Sequence, residues 1–383
     1  MPFYQKQGEI PAKRHVQFRD AENKLCWEEL ISREGFGWIY SNIYHKNPPT
    51  TVEAVGELQP FSPKKWKDQH RNLHVRTANV QSNGDAISAR VPLFYNSDCV
   101  IYKAHVNASM SYVYRNGHAD ELLFVHTGSG ILHSNFGDLQ LKHGDYVVIP
   151  RGLIWNIDIL EPMRMLVTES YGSIETPARY RNRAGQLLEH SPFCERDIRT
   201  PKLYDDLNDS GPTDVLVKLQ DGFQTYTYSH HPYDLLGWDG YYFPWIFNIN
   251  DFEPITGRVH QPPPVHQTFQ APGFVVCSFV PRLFDYHPEA IPAPYAHSNV
   301  DSDEILYYVL GNFMSRRGIE EESITYHPMG LPHGPQPGKI EESIGARDTT
   351  ELAVMIDTFK PLIKCEALKD INDENYPFSW MDS

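Results

Sequence analysis

Residues 121–152 read ELLFVHTGSGILHSNFGDLQLKHGDYVVIPRG, and the fold turns on this stretch. Two apolar runs, LLFV (122–125) and YVVI (146–149), have the length of strands and are too short for ordinary helices. Gly128, Gly130, Gly137 and Gly144 punctuate them, each placed where a hairpin would require positive φ. The same grammar returns in the second half of the chain. DELLFVHTG, opening at Asp120, has its counterpart in DEILYYVLG, opening at Asp303, so that Glu304 matches Glu121. GDYVVIPRGLIW has its counterpart in ITYHPMGLPHGP. Two copies at this separation are not a solenoid array, whose repeats recur every ~20–50 residues. Short strands with glycine turns, used twice, predict a mostly β, double-sheet jelly-roll architecture.

The rest of the chain keeps this character. Helical periodicity is scarce, and its best candidates are the short stretches 27–33 and 63–71. SITYH (323–327) predicts a strand ahead of PMGLPHGPQPG. There are 30 prolines in 383 residues, above the usual ~5%; proline ends strands and is kept out of central ones. A less regular segment over about 175–245 separates the copies. The expected division is an N-terminal β domain over 1–245, with a metal-free barrel at about 95–175, and a C-terminal domain over 246–383 that carries the site.

Composition excludes several classes. Acids exceed bases, 49 to 34, a formal charge of −15, which argues against nucleic acid as a partner. No stretch approaches the ~18 uninterrupted apolar residues of a membrane span, and the opening MPFYQKQGEIPAKRH lacks the apolar core of a secretory signal. Cys26, Cys99, Cys194, Cys277 and Cys365 form no C-x-x-C pair and no disulfide framework. Reduced thiols in a cytoplasmic protein are expected.

The chemistry gathers in the second copy. AHSNVDSDE (296–304) and LPHGP (331–335) hold His297, Glu304 and His333. Two imidazoles and one carboxylate, with three positions open, form the ligand set of non-haem Fe(II) oxygenases. The first copy lacks this set: Tyr114 stands seven residues before Glu121, and the position matching His333 falls near Trp155. His118 beside Glu121 is a weaker rival site. In GRVHQPPPVHQTF (257–269), three prolines predict a stiff, extended path that excludes helix and presents His260 or His266 to a pocket. His327, on the strand leading to His333, could be aimed inward by alternation along that strand.

These residues resemble the homogentisate 1,2-dioxygenase family. The likeness lies in GRVHQPPPVHQTF, PYAHSNVDSDE, SRRG, ITYHPMGLPHGPQPG and ELAVMIDTFKP, and also in FYNSDCVIYKA, GDYVVIPRG and PAKRHVQFRD with LCWEEL, as in the shorter bacterial form. The resemblance implies a two-copy, bicupin-like fold with a C-terminal metal-bearing cupin barrel, assembled as trimers or hexamers. It implies Fe(II) held by His297, Glu304 and His333, with His260 as catalytic histidine and His327, Tyr295 and Asn299 in the substrate pocket. The implied partners are a small aromatic substrate and dioxygen. The implied reaction opens homogentisate to maleylacetoacetate in tyrosine and phenylalanine breakdown.

The chain departs from the longer forms of the family in two places. They place arginines five residues before the first ligand histidine and six after the ligand glutamate; Pro292 and Leu310 stand there instead. Arg316 and Arg317 are the nearby candidates for the substrate's carboxylate. Three other readings stay open: ring cleavage of a different hydroquinone or gentisate-like aromatic, a metal-binding bicupin that does not oxygenate, and a structural β protein.

Overall fold

The structure, a computed structural model, describes residues 3–208, 210–311 and 313–381. Strands dominate, and among the described residues the one α-helix is the short Lys339–Ser343. The stretch 121–152 supplies the centre of the larger, fourteen-stranded sheet. Asp120–Ser134 pairs antiparallel with Asp145–Ile149 on one side and with Ile154–Ser170 on the other. The runs 122–125 and 146–149 are buried on both faces, which is why they read as unbroken apolar segments rather than alternating ones. The second copy centres a six-stranded sheet in the order Gln267–Ala271, Phe274–Phe279, Leu352–Thr358, Asp303–Leu310, Ser323–His327 and Leu73–Arg76.

The two halves lend each other strands. Leu73–Arg76, from early in the chain, pairs with Ser323–His327 at the edge of the six-stranded sheet. Ile363–Lys364, near the chain end, pairs with Arg90–Tyr95 of the larger sheet. Each loan covers a sheet edge that would otherwise expose unpaired backbone groups. The division expected between 245 and 246 falls inside the strand Trp245–Asn248, which pairs with Asp145–Ile149.

Three local expectations are corrected. Residues 27–33 are not helical: Trp27–Ser32 is a strand against Tyr40–His45 in a four-stranded sheet. Residues 63–71 form no helix either, and are pinned to the chain end by Trp66 N–H donating to Lys364 O at 2.7 Å. In both places tertiary pairing overrides weak local propensity. Gly128 and Gly130 do not close a hairpin. They lie within the continuous strand Asp120–Ser134, where Gly128, at φ 86, marks an irregular register against Ile154–Ser170, and Gly130 has no positive φ.

The internal repeat holds at the level of register. Glu121 faces Ile149 and Glu169 on its neighbouring strands; Glu304 faces His327 and Asp357. Tyr114 pairs with Trp155 as His297 pairs with His333. In the first copy, protein cations neutralise the buried carboxylates. Arg90 Nη1 reaches Glu121 at 2.5 Å and Glu169 at 3.1 Å. Lys218 Nζ lies 2.5 Å from Glu169, and the Tyr102 hydroxyl donates to the same carboxylate at 3.0 Å. The rings of Tyr114 and Trp155 meet edge to face at 5.1 Å and fill the space beside Glu121.

Replacing Arg90 by Met should therefore strand Glu121 in the core. Breaking a buried pair on one side costs about 3–5 kcal/mol. Urea denaturation is expected to show a loss of that size for Arg90→Met, and recovery of much of it in the double variant Arg90→Met with Glu121→Gln.

Candidate metal centre

His297 reaches the site from a loop, Glu304 from the start of the strand Asp303–Leu310, and His333 from the turn after Ser323–His327. Reciprocal backbone hydrogen bonds join the two histidines: each N–H donates to the other's carbonyl, at 2.8 and 2.9 Å. The segments pass so closely that a Cβ on Gly334 would stand 2.5 Å from Ala296 Cα. The bridge sets the imidazole centroids 4.3 Å apart. Glu304 Oε2 lies 3.8 Å from His297 Nε2 and 3.6 Å from His333 Nε2.

This donor set fits a divalent transition ion. Two imidazole nitrogens and one carboxylate oxygen lie within 4.8 Å of one another. His333 Nε2 is buried without a hydrogen-bond partner among the described residues. An unpaired buried polar group costs about 1–3 kcal/mol, which a bound cation would offset. Burial pushes the Glu304 carboxyl upward, but the facing imidazoles of His297, His327 and His333 hold it well below the usual carboxylate range. Contact with that carboxylate in turn raises His297. The Glu304 carboxylate is thus held in its anionic form among these imidazoles.

His327, expected to touch substrate, stands elsewhere. It is fully buried behind Glu304, is not part of the cavity wall, and stacks on His333 with ring centroids 4.3 Å apart. Its Nδ1 lies 2.7 Å from Glu304 Oε1. Burial pushes this imidazole down to about 4 despite the carboxylate beside it. A neutral His327 can donate from Nδ1 and fix the orientation of Glu304.

The open side of the metal centre is a cavity of about 510 Å³, walled by His260, Tyr295, His297, Asn299, Arg316 and His333 among others. His260 is half exposed, with Nδ1 3.7 Å from Asp285 Oδ2 and its ring edge-on to Tyr295 at 5.0 Å. The prolines that follow it do not give a purely extended path. Pro263–His266 is a single 3-10 turn, because the fixed φ of proline also suits the first turn of a helix. Arg316 is buried in the wall; its Nη1 donates to the carbonyls of Gly334 and Ser315, and its guanidinium lies over Trp380. It thereby braces the segment that carries His333. Arg317 is exposed, bonded to Pro337 O and Glu342. Pro292 lines the cavity, whereas Leu310 is half exposed and outside it.

Two cavity residues escaped the sequence reading. Asp357 faces Glu304 across the sheet with a buried, unpartnered Oδ1; burial, then the charge of Glu304, pushes it up to about 8. A single acid in the apolar strand LAVMIDT was its signal. Arg282 sits on the two-residue strand Arg282–Leu283, which exists only by pairing with Asp348–Thr349, and no sequence pattern marks it.

Known proteins similar to this chain point to one family. The family described as "Homogentisate 1,2-dioxygenase N-terminal" matches residues 63–249. A protein of Saccharolobus solfataricus named "Putative dioxygenase SSO1533" is 41% identical over the whole of both chains. The homogentisate 1,2-dioxygenase of Nitrobacter hamburgensis is 28% identical over 68% of this chain and 61% of its own. That of Rhodopseudomonas palustris strain HaA2 is 28% identical over 56% of this chain and 49% of its own. Among solved structures, a cupin 2 conserved barrel domain protein from Leptotrichia buccalis aligns over 75% of this chain and 96% of its own, at 9% identity and a TM-score of 0.35. So loose a likeness bears no weight. On the sequence matches, this chain belongs to the homogentisate 1,2-dioxygenase family.

Proposed function

We propose that the protein is an Fe(II)-dependent, extradiol-type dioxygenase that opens the ring of homogentisate to give maleylacetoacetate, in the breakdown of tyrosine and phenylalanine. The observation that carries this reading is the His297, Glu304 and His333 cluster at the wall of an otherwise protein-lined cavity. Five free cysteines suit the reducing cytoplasm as its setting.

His297, Glu304 and His333 would hold the iron, and the iron supplies the Lewis acidity and redox chemistry that dioxygen demands. The chain's own residues do the rest. His260 faces the cavity beside Asp285 and serves as the base, or hydrogen-bond partner, for a substrate hydroxyl. Tyr295 packs edge-on to both His260 and His297, so it can position the substrate ring between them. Asn299 offers an amide on the same wall. His327 acts through Glu304 rather than on substrate. Arg316 holds the His333 segment in place and adds positive charge to the wall.

One observation favours a second reading, cleavage of another hydroquinone or gentisate-like acid. The relative that matches end to end carries no substrate in its name, and the homogentisate dioxygenases match only in part.

Two experiments test these assignments. With protein purified anaerobically and loaded with ferrous iron, oxygen uptake is expected with homogentisate and not with plain hydroquinone; no uptake with homogentisate, gentisate or hydroquinone would sink the oxygenase reading. Iron assays on the variants are expected to show His297→Ala and His333→Ala without metal, and His260→Ala with metal but with turnover reduced on the order of a hundredfold or more. Full turnover in His260→Ala would remove that residue from the reaction.

A further inference from the structure

The cavity has two cationic side chains among its described lining residues, Arg282 and Arg316. They differ in what their nitrogens are doing. Arg316 is buried, spends Nη1 on two backbone carbonyls, and sits over the Trp380 ring, with its enclosed Nε lacking a partner among the described residues. Arg282 makes one hydrogen bond, Nη1 to Val280 O at 3.0 Å. Its Nε and Nη2 donate to nothing among the described residues. Glu351 stands 3.8 Å from Nη2, beyond hydrogen-bond reach, with Oε1 engaged by the Met314 N–H at 2.6 Å. Phe279 and Phe284 flank the guanidinium, at 5.6 and 5.9 Å from their centroids, and hold it in place. Burial pulls this guanidinium below its ordinary value even with Glu351 and Asp285 nearby, so the local acids do not fully compensate its charge.

We infer that Arg282 is the residue that receives the carboxylate of the aromatic substrate. The assignment rests on the ring-cleavage reading and deepens it: the substrate class is a hydroquinone bearing a carboxylate, clamped at one end by Arg282 and at the other by the metal centre. A planar guanidinium with two free donors matches a carboxylate in charge and shape. It supplies the cation that Pro292 and Leu310 do not.

The test is anaerobic calorimetry of the iron-loaded protein with 2,5-dihydroxyphenylacetate and with its methyl ester, which keeps the ring and loses the charge. Wild-type protein is expected to prefer the acid on the order of tenfold to a hundredfold, the worth of one charge-assisted contact. Arg282→Met keeps the packing between the two phenylalanines and should abolish that preference. Arg282→Lys should restore part of it, and Glu351→Gln should tighten binding of the acid. An acid-to-ester ratio unchanged in Arg282→Met, or no preference in the wild type, overturns the assignment. An Arg282-dependent preference with no oxygen uptake would uphold it and count against ring cleavage instead, which separates the two claims.

Discussion

The reciprocal hydrogen bonds between the backbones of His297 and His333 are the constraint on which the site depends. They tie a loop entered after Pro294 to a turn entered after Pro332, and they do so at a crossing too close for a side chain on Gly334. Ordering a residue costs about 1–2 kcal/mol of backbone entropy, so two free loops would not hold two imidazoles in register. With the bridge in place, both rings face Glu304, which enters from a central strand fixed by neighbours on either side. Arg316 and Trp380 reinforce the same crossing by bonding to the Gly334 carbonyl.

Both halves of the protein use this geometry and meet one electrostatic demand in different ways. A carboxylate at the core of a sheet needs a counter-charge, because desolvation of an unpaired one costs several kcal/mol. In the first copy Arg90 and Lys218 provide it, and the aromatic pair of Tyr114 and Trp155 closes the volume. In the second copy histidines occupy the bridge positions, the volume stays open as a cavity, and the proposed ion would supply the balancing charge. Asp357, the counterpart of Glu169, makes no salt bridge to a lysine or arginine among the described residues, and its buried Oδ1 has no hydrogen-bond partner there.

Much of this was legible in the residues. DELLFVHTG and DEILYYVLG marked the repeat, and the strands Asp303–Leu310 and Ser323–His327 fall where the pattern put them. His297, Glu304 and His333 come together as their types and spacing suggested. What stayed hidden depended on pairing between distant segments. Trp27–Ser32 reads as a weak helix until Tyr40–His45 lies beside it. His327 alternates inward as expected, but the layer it enters is the one behind Glu304, and only the register with Asp303–Leu310 decides that. Arg282 reaches the cavity through a two-residue strand that no local pattern encodes.

The central claim is that one copy of the repeat binds metal and the other is neutralised from within. Ferrous iron titrated into metal-free protein, with bound iron counted per chain, tests it most directly. The account predicts one iron per chain in the wild type and none in Glu304→Gln. Two irons per chain, or one iron retained in Glu304→Gln, would contradict it.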